Sequence, residues 1–167
     1  IKQHTGIALI DTQQTVSYGQ LVQQVEQVAS QLAANQVVAL VMENNIASIV
    51  DYLACLVARA PMILLSDAAE LEQYTKYQPN FLLHSNQISV LAPLTVGQKA
   101  HDDLRLLLST SGSTGSPKMV RLSAQNLDAN TAAIVEYLEL DSTARSITSL
   151  PLTYSFGLSI LNSYLWS

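Results

Sequence analysis

Apolar residues along this chain fall into two kinds of run, and their alternation predicts the architecture. Residues 37–42 (Val-Val-Ala-Leu-Val-Met) and 62–65 (Met-Ile-Leu-Leu) are continuously apolar. Unbroken short runs mark strands buried on both faces, as in a parallel sheet. Between them Ile46, Ile49, Val50, Leu53, Ala54 and Val57 recur at helical spacing, with Asn44 or Asn45 placed to cap the helix. Strand, helix and strand at this spacing read as a right-handed crossover unit. Upstream, Leu21, Val25, Val28, Ala29 and Leu32 form another helical stripe, with glutamines on the other face. Ser17 and Gln20 supply its capping box, and Asn35 is placed to end it as a left-handed cap. Residues 6–11 and 14–17 precede it as a predicted hairpin.

The second half continues the alternation. A short helix is expected over 68–77, strands over 81–84 and 87–91, and a polar surface loop over 92–103. Strands follow at 104–108 and 119–122. Ser123 then caps a helix with Leu127, Thr131, Ile134, Tyr137 and Leu138 on its inner side. A strand over 146–150 and a final helix complete the pattern. The expected class is α/β, a mostly parallel sheet flanked by helices.

Composition narrows the function. The chain is 49% hydrophobic and 13% charged, which excludes disorder. Its net charge of −5 removes the electrostatic footprint a nucleic-acid partner requires. No apolar run reaches the ~20 residues of a membrane-spanning helix. The best, residues 52–65, is broken by Arg59 and Pro61. Cys55 is the single cysteine, so no internal disulfide can form, and the expected compartment is the cytoplasm. Cys55 itself reads as a small core residue rather than a nucleophile. His4, His84 and His101 lack ligand spacing, so no metal site is expected. Asp102-Asp103 reads as a solvated loop, and Glu136 and Glu139 fall on the outer side of their helix.

The candidate chemistry lies in Ser109-Thr110-Ser111-Gly112-Ser113-Thr114-Gly115-Ser116-Pro117-Lys118, a small, hydroxyl-rich loop between two apolar strands. Gly112 and Gly115 let backbone amides turn toward a ligand, and successive inward amides make an anion-binding concavity. The hydroxyls add adaptable donors, and Lys118 adds a point charge suited to phosphate. A flexible linker has similar composition, but a linker has no need of flanking strands or a Pro-Lys terminus. The spacing is not that of a Walker A loop, which needs four residues between its glycines. Nor is it a Gly-x-Ser-x-Gly nucleophile elbow.

Residues 110–118 resemble the phosphate loop of the adenylate-forming (AMP-binding) superfamily, which includes acyl-CoA synthetases, nonribosomal adenylation domains and luciferases. The family loop usually continues with Gly where this chain has Met119. A second segment, Pro151-Leu152-Thr153-Tyr154-Ser155-Phe156-Gly157-Leu158, resembles the family's Pro-Leu-x-His-Ser/x-Phe/Tyr-Gly-Leu; Tyr154 stands where many members have His. Weaker echoes lie at 16–21 and 53–65.

The resemblance implies an acid:thiol ligase that forms an acyl-adenylate from ATP and a carboxylic acid. CoA or a carrier-protein thiol would be the acceptor, and Mg²⁺ would accompany ATP. It implies that Thr110, Ser111, Gly112, Ser113, Thr114, Gly115 and Lys118 bind the phosphates, with Lys118 also catalytic. Tyr154, Phe156 and Gly157 would border the carboxylate pocket. No Asp lies in 151–158, which leans toward acyl or aryl acids rather than amino acids. Residues 1–167 are expected to be the N-terminal part of a longer adenylation domain, inactive alone. A non-catalytic nucleotide-binding module or a degenerate relative is the competing class.

Overall fold

The computed structural model describes residues 5–91, 99–109 and 118–167. A two-stranded antiparallel hairpin, β1 (Ile7–Ile10) and β2 (Thr15–Ser17), leads into helix α1 (Tyr18–Ala29). The main sheet is built from β3 (Val38–Val41), β4 (Met62–Leu65), β5 (Phe81–His84), β6 (Gln87–Val90), β7 (Leu104–Ser109) and β8 (Met119–Ser123). Its order is β6-β5-β3-β4-β7-β8. The four central strands are parallel, and β6 and β8 add antiparallel edges. Helix α2 (Ile46–Val57) joins β3 to β4, and a 3₁₀ segment, Ala68–Tyr77, joins β4 to β5. Helices α3 (Ala124–Tyr137) and α4 (Ser155–Trp166) follow β8. The mostly parallel α/β expectation stands.

Every residue of β3 and β4 is buried, as their unbroken apolar runs require. Alternate residues serve two separate cores. Val38, Leu40, Met62, Leu64 and Leu106 meet Leu21 and Val25 of α1, Ile49 and Val50 of α2, and Leu158 and Leu161 of α4. Ala39, Val41, Ile63, Leu65 and Leu107 face the other way, against Leu71, Tyr74 and Tyr77 of the 3₁₀ segment. The first face is thus covered by helices and the second by a thinner layer.

Capping follows the sequence closely. Ser17 and Gln20 complete the box on α1, Asn45 caps α2 through Ser48 N–H at 2.8 Å, and Ser123 caps α3. Helix α1 nevertheless ends at Ala29, well before Asn35. Ser30 Oγ donates to the Gln27 carbonyl at 2.8 Å, a local bond that competes with continuing the helix. Asn35 does take the left-handed conformation, φ 64°, but in the connection to β3. The helix expected over 68–77 is a 3₁₀ helix.

The expected strand at 146–150 does not form. The Asn44 amide donates to the carbonyls of Thr148 and Leu150 at 2.9 and 3.1 Å, engaging groups a ladder would use. The inner stripe of α3 is also shorter than expected. Thr131 is buried, but Tyr137 and Leu138 are exposed where the helix runs out. Val57 likewise lies exposed at the end of α2.

Two residues hold the sheet's neighbours tightly. Asp51 of α2 is fully buried beneath the β5–β6 turn, where its Oδ2 accepts the Asn86 N–H at 3.0 Å and its Oδ1 has no partner. Burial pushes this carboxyl up to about 6, against the opposing pull of the Asn86 bond and the His84 charge. Gly157, in the first turn of α4, lies so close to the preceding chain that a Cβ would fall 2.4 Å from the Pro151 carbonyl oxygen. Backbone cannot yield as a side chain can, so only glycine fits.

Two predictions follow from these sites. The folded Asp51 carboxyl titrates above its unfolded value of ~3.9, so its favourable contribution is complete below that value and is lost as pH rises through 6. Asp51→Asn keeps an acceptor for Asn86. Its urea stability relative to the native chain is expected to improve by about 2 kcal/mol between pH 4 and pH 7.5; parallel stability–pH curves would contradict the assignment. Gly157→Ala is expected to destabilise by about 1–3 kcal/mol through overpacking. Gly19→Ala in α1, where a Cβ meets nothing within 4 Å, should instead stabilise by about 0.5–1 kcal/mol. Equal effects of the two substitutions in urea unfolding would remove the close-approach account.

Candidate functional site

Because β3, β4, β5 and β7 are parallel, their C-terminal ends share one edge of the sheet. That edge carries Met42 to Asn45, Ser66-Asp67, Ser85-Asn86 and Ser109. The connection after β3 packs on the first face and the connection after β4 on the second. Adjacent strands whose connections diverge open a crevice at their carboxyl ends, where ligands bind in open α/β sheets.

Thr110, Ser111, Gly112, Ser113, Thr114 and Gly115 lie outside the described residues. The two ends of their segment are described. Ser109 pairs with Met119 across the β7–β8 ladder, so the segment leaves and returns at the same point of the edge. Lys118 stands there, exposed, one residue before that pair. Met119 packs against the second core, which gives a physical reason for an apolar residue where the family usually has Gly.

Near Ser109 lies a residue that the sequence did not single out. Tyr74 is buried in the second core, and the Ser109 side chain lies close enough to its phenol to lower the phenol's pKa. Burial raises the Tyr74 phenol above its ordinary value, the Ser109 side chain opposes this, and nearby Glu70, Tyr77 and Tyr154 add to the rise. Tyr154 therefore lies at the same edge as Tyr74 and Ser109. The only available signal was the Leu71–Tyr74 spacing, which reads equally well as ordinary packing.

Tyr154 is the N-cap residue of α4 and makes no side-chain cap bond. Tyr154 and Phe156 are 57% and 63% exposed, whereas Gly157 is buried. The structure thus brings Lys118 and Tyr154 to one edge of the sheet, with Tyr74 and Ser109 between core and surface. Gly157 serves the close approach to Pro151.

Several acidic groups at this edge are occupied locally. Glu43 accepts from the Asn45 amide at 2.7 Å and lies 3.7 Å from His84 Nε2. Asp67 accepts the Ala69 N–H at 2.7 Å, and Glu70 accepts the Ser66 N–H at 3.1 Å. Among the described residues, no three His, Cys, Asp or Glu side chains gather as a metal site. Burial pushes the Cys55 thiol up, and the residue sits wholly inside the first core, so it is no nucleophile. A cavity of about 610 Å³ opens between α2, α3 and α4, lined by Tyr52, Leu53, Arg105, Leu127 and Trp166. It includes neither Tyr154 nor Phe156. Its Arg105 is spent on the carbonyls of Asp102 and Leu104 at 2.7 and 2.8 Å.

Comparison with known proteins bears on this arrangement. Residues 62–166 match the family described as AMP-binding enzyme. The D-alanine–D-alanyl carrier protein ligase of Bacillus licheniformis is 25% identical over 95% of this chain, which spans 37% of that relative. Among solved structures, ATP-bound MatB from Rhodopseudomonas palustris superposes with TM-score 0.79 at 22% identity, over 99% of this chain and 41% of that one. O-succinylbenzoate coenzyme A synthetase from Bacillus subtilis, in complex with AMP, gives TM-score 0.76 at 20% identity, over 95% and 49%. This chain therefore spans less than half the length of each of these three relatives. The family match begins at β4 and runs through the candidate edge into α4: the chain belongs to the AMP-binding enzyme family.

Proposed function

We infer that this chain forms the N-terminal part of an ATP-dependent acid ligase. A carboxylate oxygen attacks the α-phosphorus of ATP, the bond to the β-phosphate bridging oxygen breaks, and pyrophosphate leaves with the electron pair. The product is an acyl-adenylate. A thiol of CoA or of a carrier protein then attacks the acyl carbon, AMP leaves, and the thiol proton passes to solvent. ATP enters as its Mg²⁺ complex, with the ion carried by the phosphates.

One observation carries this reading: the Ser109–Met119 pairing puts Lys118 at the carboxyl edge of a parallel sheet. Nucleotidyl transfer needs positioned donors and positive charge where charge develops on the departing group. Thr110, Ser111, Gly112, Ser113, Thr114 and Gly115 would supply the donors, and Lys118 the charge. Tyr154 and Phe156 would border the acid at its carboxylate end, with Gly157 fixing the turn that presents them. Tyrosine at position 154 keeps a ring and a hydroxyl but carries no positive charge near neutral pH, so Lys118 would bear more of the neutralisation alone.

The acid's identity is open to test on one panel. The lack of Asp in residues 151–158 points to acyl or aryl acids, whereas the Bacillus licheniformis relative is by name a D-alanine ligase. The panel therefore spans fatty, aryl and amino acids. The alternative, a non-catalytic nucleotide-binding module, is favoured by the Tyr154 departure.

The 167-residue chain alone is expected to form little or no adenylate. Pyrophosphate–ATP exchange across the panel measures this, and a robust rate from the chain alone would refute it. MgATP binding by the chain should still be detectable by calorimetry. Lys118→Met is expected to weaken it about tenfold, the scale of one charge-assisted contact. Unchanged affinity in that variant would remove Lys118 from the phosphate site.

A further inference from the structure

The second face of the sheet carries a groove that the reaction above does not use. It has a volume of about 560 Å³, within the ~300–1,000 Å³ range of small-molecule sites. Leu104, Leu107 and Met119 contribute apolar wall, and Lys99, Arg121 and Asn80 contribute polar groups. The chain's net charge is −5, yet among the described residues no Asp or Glu lines this groove. Two of its eight Lys and Arg residues do.

The backbone holds these groups in place. Arg121 lies directly opposite Leu107 across the β7–β8 ladder, and opposed residues share a face. Leu107 belongs to the second core, so Arg121 rises from the same face beside it. Ala100 N–H donates to the Asn35 carbonyl at 3.1 Å, tethering the Lys99-Ala100 wall to the start of β3. Asn80 Oδ1 accepts the Val37 N–H at 3.0 Å, which fixes the amide and leaves its NH₂ group as a donor. Lys99 and Arg121 thus bring positive charge, and Asn80 an amide, beside an apolar floor.

We propose that this groove binds a small amphipathic organic acid, its anionic head held by Arg121 and Lys99 and its apolar body laid against Leu104, Leu107 and Met119. An uncharged ligand would leave the two cations unanswered. A purely inorganic anion would leave the apolar wall wet. Binding here requires no ATP and none of residues 110–118, so it stands or falls separately from the ligase reading.

The test uses 2-naphthoate as probe, with 2-naphthylmethanol as the neutral analogue and inorganic phosphate as the head alone. Backbone amide shifts of the 167-residue chain are followed by ¹H–¹⁵N NMR at low salt without nucleotide. The expected result is saturable shifts at Gln78, Ala100 and Arg121. Binding should weaken about tenfold in Arg121→Gln and in Lys99→Gln, and be largely kept in Arg121→Lys. Naphthylmethanol and phosphate should each bind at least about tenfold more weakly. Both replaced side chains are exposed, so the variants keep the fold, which their spectra verify. Shifts elsewhere, equal binding of the neutral analogue, or indifference to Arg121→Gln would overturn the proposal. So would sedimentation showing that the groove is filled by a second copy of the chain, released by Arg121→Glu.

Discussion

The structure depends on one constraint: β3 and β4 are paired in parallel and buried on both faces. The four paired positions of this ladder, eight residues in two strands, admit no exposed side chain. A strand of this kind cannot carry polar chemistry along its length, since each buried polar group would need its own partner. Chemistry is displaced to the ends. Parallel pairing then decides which end, because it brings the carboxyl termini of four strands to a single edge. The candidate site is where the sheet's own pairing leaves polar residues able to gather.

At that edge the structure spends some polar groups to hold itself together and leaves others for a ligand. Asn45, Asp67 and Glu70 close backbone N–H groups at the starts of the segments that follow β3 and β4. Asn44 reaches across to the chain before α4. This tie and the Gly157–Pro151 approach act on the same stretch, residues 148–157. Together they fix where α4 begins, and hence where Tyr154 stands. The ladders to β4 and β8 do the same for β7. Lys118 and Tyr154 are therefore both presented by neighbours anchored in the cores, although each is itself exposed.

How much of this could be read from the sequence depended on whether a signal was local. Unbroken apolar runs disclosed β3 and β4, and the caps at Ser17, Asn45 and Ser123 were legible because a cap is written within four residues. The Asn35 conformation was legible, but not the end of α1, because Ser30 competes for the Gln27 carbonyl by a bond that composition does not announce. Residues 146–150 have strand-like side chains. Whether they pair depends on Asn44, some hundred positions away, and no local pattern carries that. Tyr74 was missed for the same reason: its neighbour Ser109 is distant in sequence. Lys118 and Tyr154 were legible through motif resemblance, and their shared edge only through the fold.

The two faces of the sheet then differ in what they can become. The first is covered by α1, α2 and α4, and the cavity between α2, α3 and α4 holds an arginine already bonded to backbone carbonyls. Among the described residues, the second is covered by a 3₁₀ segment whose aromatic residues pack on Leu104, Leu107 and Met119. A thin cover leaves the outer strands to shield their own apolar residues, and long cationic side chains do this well, because their stems lie on apolar surface while their heads stay in water. Arg121 beside Leu107 and Lys76 against the Tyr77 ring at 5.1 Å both fit that use. The placing of Lys99 and Arg121 beside apolar wall therefore follows from the same asymmetry that set the fold, and there an organic anion finds both charge and apolar surface.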